Sequence, residues 1–375
     1  MKTYNNLFDK ITDPANIEAA IRKAAKGKRS KYSVRRALEN PAAVATIISA
    51  QLKAGTWQPV PLHNAREIND GIALKKRIIV CPQFIREQVV HHSVMRVCAP
   101  LFIRKFYRYS CGSVPGRGRE FAAKYISKEL QDRKKTKYFA KLDVKKFFDN
   151  ISPLYAWREL RKTIRDKKTL LLFAKILRAN KVRMPDGSIR RGGVPIGFYT
   201  SPWIANILLN PLDHALKEIC GVAVAVRYVD DILIMDSNKR RIKRAIAYVK
   251  DFLAARRLSL KREPAIHKTD KQKITFIGIV FTREKRTMNS AAFLRACRTA
   301  KRIGKKHKLT IYDARKMISY AGQFKHTNTR AAFKKYIANN VSLRACRAKI
   351  QRRDKEGETR YVENSREQRT ARPCS

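Results

Sequence analysis

Two adjacent aspartates, Asp230 and Asp231, stand inside the apolar run RYVDDILIM at residues 227–235. Val229, Ile232, Leu233, Ile234 and Met235 read as a buried strand or hairpin, where a carboxylate is costly unless a metal ion or another cation neutralises it. A third carboxylate, Asp143, ends the strand-like segment KYFAKLDV. If that strand meets the 228–235 hairpin, Asp143, Asp230 and Asp231 could hold two divalent ions a few ångströms apart, with magnesium suited to such oxygen ligands. That arrangement activates a 3′-hydroxyl and steadies a leaving pyrophosphate. The plainer alternative makes them turn residues or arginine partners, and it weighs more on Asp143 alone than on the adjacent pair.

The elements that must position these carboxylates follow from periodicity. NIEAAIRKAAKGK and NPAAVATIISAQLKAG read as helices near the N-terminus, the second opened by Asn40 with Pro41 in its first turn. Short β segments follow to KKRIIVCP, then a helical stretch over QFIREQVVHHSVMRVCAPLFIRKF. SCGSVPGRGRE is a basic glycine loop before a helix from about Glu120 to Arg133. After the Asp143 strand come a basic amphipathic helical stretch, the turn and hairpin of MPDGSIRRGG, and the helix WIANILLNPLDHALKEIC. KITFIGIVF alternates as a strand, and beyond Thr287 the chain is helical and basic. No internal repeat or Gly/Ser linker is present.

The chain of 375 residues carries 84 lysines and arginines against 30 acidic residues, a net charge of +54, with 44% hydrophobic residues. That hydrophobic content supports a real core, and the charge, spread along the whole length, points to a polyanionic partner, nucleic acid before an anionic membrane. The seven cysteines form no CxxC pair and no zinc spacing, so reduced thiols are expected. No signal peptide or membrane span is apparent, and the reading is a soluble, cytoplasmic protein with no membrane partner. His91, His92, His214 and His326 lack acidic company and read as satisfied or exposed imidazoles. Tyr107, Tyr109, Phe198 and Tyr199 are candidates for stacking on bases or for core packing.

These motifs resemble those of bacterial reverse transcriptases of the group II-intron-like clade. Tyr228-Val229-Asp230-Asp231 resembles their YxDD box, KLDVKKFFDNI their first catalytic aspartate motif, and GVPIGFYTSPWIANILLNPLDH the motif between them. ITFIGIVF resembles the primer-grip hairpin, KKRIIVCP the fingers segment that meets the incoming triphosphate, and SCGSVPGRG the loop preceding the first aspartate motif. The resemblance spans about residues 55–325 and implies an α+β right-hand polymerase fold. Its expected parts are an N-terminal helical extension (1–55), fingers and a palm with an antiparallel sheet (56–285), a helical thumb (286–350) and a basic, disordered tail (351–375).

The resemblance also implies roles. Asp143, Asp230 and Asp231 would be catalytic and, with the Val144 carbonyl, would ligate two Mg2+ ions, for which Mn2+ can substitute. Lys75 and Arg77 would grip the triphosphate, where a guanidinium fork is effective. Phe148 would exclude a 2′-hydroxyl, and Ile196 and Gly197 would line the nucleotide pocket. Tyr228, Phe276 and Gly278 would meet primer or template, and Lys268, with Lys261 competing, would protonate pyrophosphate. Expected partners are dNTPs, a structured noncoding RNA template and the cDNA product, with an accessory protein or a second copy of the chain as further candidates.

Ile196 stands where most reverse transcriptases carry glutamine, which resembles the enzymes of diversity-generating retroelements. In those enzymes, however, the serine is followed by glutamine, and here Ser201 precedes Pro202. The chain lacks the VTG triplet of retron enzymes and the endonuclease extension of many intron proteins, and its compact build resembles antiphage-defence reverse transcriptases, bacterial or phage-encoded. A noncatalytic, maturase-like RNA-binding scaffold is the alternative of a different class, and an RNA-copying viral polymerase ranks last.

Overall fold

The computed structural model describes residues 3–70 and 75–352; the side chain of Lys75 and most of the expected tail lie outside the described residues. Four helices open the chain: α1 (Phe8–Thr12), α2 (Pro14–Ala25), α3 (Tyr32–Glu39) and α4 (Pro41–Lys53). Two of them start with a capping side chain followed by proline. Asp13 accepts from the Ala15 amide before Pro14, and Asn40 accepts from the Ala43 amide before Pro41. This layer packs on α5 (Val89–Lys105), whose first turn follows a π-helical turn at Phe84–Gln88. Between α4 and α5 run β1 (His63–Asp70) and β2 (Lys75–Val80), an antiparallel hairpin.

The central sheet is built from non-local pairs. Chain order gives α6 (Arg119–Gln131), β3 (Tyr138–Asp143), α7 (Phe147–Asn150), α8 (Pro153–Arg161) and α9 (Lys167–Arg178), then the short β4 (Val182–Arg183) and β5 (Ile189–Arg190). There follow α10 (Ser201–Glu218), β6 (Val224–Tyr228), β7 (Asp231–Asp236), α11 (Lys239–Ala254) and β8 (Ile266–Lys268). The sheet order is β6-β7-β3-β8, all antiparallel. Side-chain alternation sorts its two faces. Ala140, Leu142, Ala225, Ile232 and Ile234 join the large core with α10 and α11, whereas Phe139, Val224, Val226, Leu233 and Met235 face α6 and the following hairpin. Both faces are buried, which is why RYVDDILIM is nearly continuous in apolar residues.

A separate four-stranded sheet, β2-β1-β4-β5, forms because β1 pairs in parallel with β4, His63 opposite Val182. A third sheet contains β9 (Ile274–Phe276), β10 (Ile279–Phe281) and β11 (Arg286–Met288). Three further helices, α12 (Ser290–Gly304), α13 (Ile311–Phe324) and α14 (Arg330–Phe333), with the helical residues 343–352, enclose their own core around Ala296, Met317, Tyr320, Ile337 and Cys346. Buried Asp313 ties α12 to α13 by accepting from Arg302 and Lys306. This is a right-hand polymerase arrangement, with the palm sheet at its centre. Among the described residues no helix is long and apolar enough to cross a membrane.

Candidate active site

Strand register brings the acidic residues together. Asp143 is paired with Asp231 between β3 and β7, and Asp231 with Tyr228 between β7 and β6, so the three lie in one row across the sheet edge. Val229 and Asp230 form the two-residue turn between those strands, with Val229 at φ 61°, a costly conformation for a β-branched residue. The Val144 amide donates to the Asp230 carbonyl at 3.3 Å, tying the end of β3 to that turn. Burial raises the Asp230 pKa above the usual carboxylate range, and the charges of Asp231 and Asp143 add to the effect. Long ion pairs hold the other two: Lys261 Nζ lies 3.5 Å from Asp143 Oδ2 and Lys141 Nζ 3.6 Å from Asp231 Oδ1. Among the described residues no three His, Cys, Asp or Glu side chains close into a preformed cage.

The turn is anchored from beneath. Arg227, 1% exposed, directs all five of its N–H groups to acceptors. Nε and Nη2 clamp Asp213 on α10 at 2.8 and 2.7 Å, and Nη2 also donates to Ser110 Oγ at 2.7 Å. Nη1 donates to Asn206 Oδ1 and to the Val229 carbonyl, each at 2.9 Å. The strained Val229 peptide is thus fixed by a guanidinium that has no spare donor. Gly112 packs against it, since a Cβ there would sit 2.5 Å from Val229 Cγ2.

Asp230 and Asp231 open into a cleft of about 850 Å³. Phe148, Ile196, Gly197 and Tyr199 line one part of it, and Tyr228, Ile277 and Gly278 another. Arg77 also lines the cleft and acts on Asp230 by its positive charge. The glycine-rich segment is held by backbone contacts: the Val194 amide donates to the Phe148 carbonyl at 2.8 Å, and the Val80 amide to the Ile196 carbonyl at 2.7 Å. Gly197, at φ 118°, leaves room for the Val80 carbonyl, which a Cβ would meet at 2.0 Å. The glycine therefore permits a close approach of strand β2 while itself lining the cleft.

Several residues lie elsewhere than their motifs imply. Lys268 is opposite Tyr138, at the far end of β3 from Asp143, because β8 pairs antiparallel with the start of that strand. Five residues at about 3.4 Å each separate it from the carboxylates, whereas Lys261 is beside Asp143. Phe276 is fully buried in the core against α6 and cannot meet primer or template; Ile277 and Gly278, the two-residue turn after it, line the cleft instead. Phe198 is buried between His63 and His91, and Tyr109 stacks on Tyr125 at 3.3 Å, so neither offers a free ring face to a base. Tyr107 packs edge-on against Tyr109 and donates to the Ala225 carbonyl at 3.4 Å.

His91 and His92 behave as packing groups, whereas His214 and His326, expected to lack acidic company, each have a carboxylate partner. His91 bonds Thr200 Oγ1 at 3.0 Å and burial lowers its pKa to about 4. His92 stacks on Tyr199 at the cleft wall, with its pKa lowered to about 3 by burial and the nearby Lys28. His214 and His326 bond Glu218 and Glu120. Lys28, Gln88, Arg119 and Lys146 also line the cleft, and only Arg119 belongs to a segment the sequence singles out, the basic glycine loop. Among 84 basic residues the identity of Lys28 and Lys146 alone gives no signal.

A model of the family Reverse transcriptase (RNA-dependent DNA polymerase) matches residues 53–281. Among curated proteins the chain is 26% identical over 178 residues to Protein YkfC of Escherichia coli K12, covering 46% of this chain and 45% of that protein. It is 28% identical over 172 residues to the group II intron-encoded protein LtrA of Lactococcus lactis, covering 46% of this chain and 28% of LtrA. Over 123 residues it is 32% identical to the retron Ec73 reverse transcriptase of Escherichia coli, covering 29% of this chain and 36% of that enzyme. The matched stretch spans less than half the length of each of these relatives.

Proposed function

The chain belongs to the reverse transcriptase family, and from that premise we propose that it is an RNA-directed DNA polymerase copying a dedicated, structured RNA into cDNA. The observation that carries the reading is the row Tyr228, Asp231, Asp143, with Asp230 at the adjoining turn: Tyr228, Asp230 and Asp231 line a basic cleft, and Asp143 stands beside Asp231 in the sheet. The primer 3′-oxygen attacks the α-phosphorus of a dNTP, a new P–O bond forms, the α–β bridge breaks, and pyrophosphate leaves. Asp143, Asp230 and Asp231 would hold two divalent ions, with the Val144 carbonyl as a further oxygen; Asp230 has its pKa raised by burial and, to a lesser degree, by the charges of Asp231 and Asp143, a cost that such ions would relieve. Mg2+, or Mn2+ in its place, supplies Lewis-acid stabilisation of the charge that develops on the reacting oxygens.

The chain's own side chains then bind and orient. Arg77, with Lys75, would take the triphosphate; Phe148 at the cleft wall would crowd a 2′-hydroxyl; Tyr228 would support the primer end; Lys261, 3.5 Å from Asp143, would protonate pyrophosphate in preference to Lys268. Ile196 presents an apolar branch to the cleft where an amide would read the pair, which favours a diversity-generating retroelement with error-prone copying. The expected setting is the cytoplasm, with a noncoding RNA and an accessory protein or a second copy as partners.

The experiment is purification with the co-purifying nucleic acid sequenced, followed by addition of Mg2+ and dNTPs. cDNA copied from one RNA with substitutions concentrated opposite adenines supports the retroelement role, and Ile196→Gln should suppress those substitutions. Faithful, repetitive or untemplated DNA points to antiphage defence. RNA bound without DNA made from any primer overturns the polymerase reading in favour of a scaffold.

A further inference from the structure

Arg119, the first residue of α6, lines the cleft beside Tyr228, Ile277 and Gly278. Its Nε and Nη2 are buried and have no hydrogen-bond partner among the described residues. Burial depresses its pKa, and the neighbouring group that opposes this is the Tyr228 phenol rather than a carboxylate. Nearby arginines are used differently. Arg117 spends its guanidinium on the carbonyls of Phe106, Tyr107 and Ile103, Arg227 satisfies all five donors, and Arg286 pairs with Glu120. Those three hold the fold together, whereas Arg119 keeps a half-buried positive charge whose Nε and Nη2 have no partner among the described residues.

A desolvated guanidinium without an anion is unfavourable, so its charge adds nothing to the stability of the free protein. Its position says which anion is missing. Nη2 lies 3.1 Å from where a Cβ on Gly278 would be, so the glycine leaves the guanidinium its place against the Ile277–Gly278 turn. Tyr228, on the other side, adjoins the turn that carries Asp230. The triphosphate is expected on the side of Arg77, which faces Asp230 from the β1–β2 hairpin. The remaining phosphates near Tyr228 are those of the strand whose 3′-hydroxyl is extended.

We propose that Arg119 binds a phosphodiester of the primer strand next to its 3′ end, clamping the terminus between Tyr228 and the Ile277–Gly278 turn. The inference rests on the polymerase reading for the identity of the strand. A charge-assisted guanidinium–phosphate contact supplies affinity without base selectivity, which suits a group that must hold every successive terminus.

The test compares wild type, Arg119→Met and Arg119→Lys for binding of a primed RNA–DNA duplex across a salt series, read by fluorescence anisotropy, and for KM of dNTP. Arg119→Met should weaken duplex binding about tenfold or more and make the slope of log K against log salt shallower by about one. Arg119→Lys should restore the slope, the dNTP KM should stay unchanged, and the melting temperature of the free Met variant should hold or rise. A raised dNTP KM with unchanged duplex binding would assign the guanidinium to the triphosphate and overturn the proposal. So would a Lys variant as impaired as Met with a lowered melting temperature, the mark of a structural role. Binding needs no synthesis, so a wild type that holds the duplex without extending it removes the polymerase reading while the slope still decides on Arg119.

Discussion

Replacing Asp213 by asparagine tests whether the Arg227 network holds the catalytic turn. The substitution is isosteric, yet it removes the counter-charge of a guanidinium that is 1% exposed and turns one of its two acceptor oxygens into an amide NH2 donor facing N–H groups. Breaking a buried pair by neutralising one partner costs about 3–5 kcal/mol. That is a large share of the roughly 5–15 kcal/mol that holds a folded domain together. Urea unfolding followed by tryptophan fluorescence reports it, with Trp203 on the same helix as Asp213. Any shift of Arg227 also loosens its bond to the Val229 carbonyl, and misplacing a catalytic group by about 1 Å costs on the order of 100-fold in rate. Primer extension at a temperature where the variant stays folded should fall by about that factor. In an Arg227→Met background the same Asp213→Asn change should cost far less, because no buried charge remains to be orphaned. A destabilisation below about 1 kcal/mol in the wild-type background would refute the claim that this pair is electrostatically isolated from water.

Asp230→Asn should abolish primer extension with RNA affinity retained, and it should stabilise the metal-free protein. Because the folded pKa of Asp230 is raised, its contribution to stability is complete below the unfolded value and is lost as pH rises through the folded one, so the gain in the variant appears at neutral pH and vanishes in acid; equal stability at pH 7 would contradict this. His91 titrates the other way. Its pKa falls from 6.5 to about 4 through burial, so stability is complete above pH 6.5 and declines by about 3 kcal/mol as pH drops towards 4; His91→Gln should flatten that limb of the pH–stability curve. Gly197→Ala would drive a methyl into the Val80 carbonyl, and should raise the dNTP KM by displacing the strand that carries Arg77, while duplex affinity remains near wild type. An unchanged KM would mean that the hairpin and the cleft are uncoupled.

The local parts of the carboxylate row are legible in the sequence, an apolar strand ending in Asp143 and a turn that carries Asp230 beside Asp231, whereas the β3–β7 pairing that sets Asp143 opposite Asp231 joins partners far apart in the chain. Helix starts are legible for the same reason, since Asn40 and Pro41 act within one turn of chain. What escapes is register. In a three-residue strand such as β9, nothing local decides which face meets the core, and Phe276 turns inward while the turn after it reaches the cleft. Lys268 is misplaced for a related reason, because the antiparallel pairing of β8 with the start of β3 is set by partners far away in sequence. The parallel pairing of β1 with β4 is equally non-local. Charge is the other blind spot. Arg117 and Arg119 are separated by one glycine, yet one caps carbonyls and the other faces the cleft without a partner, a distinction that burial and hydrogen bonding make and residue type does not.

Backbone strain is gathered at the cleft. Six described non-glycine residues have positive φ, and four of them, Ser113, Lys146, Val229 and Ile277, line it. Each such conformation costs on the order of 1–3 kcal/mol and persists only where the surroundings over-determine it. For Val229 those surroundings are identifiable: the Arg227 guanidinium on its carbonyl, and Gly112 packed against its amide and side chain. For Ile277 they are the paired residues Phe276 and Ile279, both fully buried, which force a two-residue turn whatever occupies it. Relaxing either turn would therefore require disturbing a core, so the turns that present Asp230 and Gly278 are held in place whatever occupies the cleft. A polymerase must reproduce the same geometry after every translocation, and rigid turns clamped from behind provide that repetition while substrate contacts change.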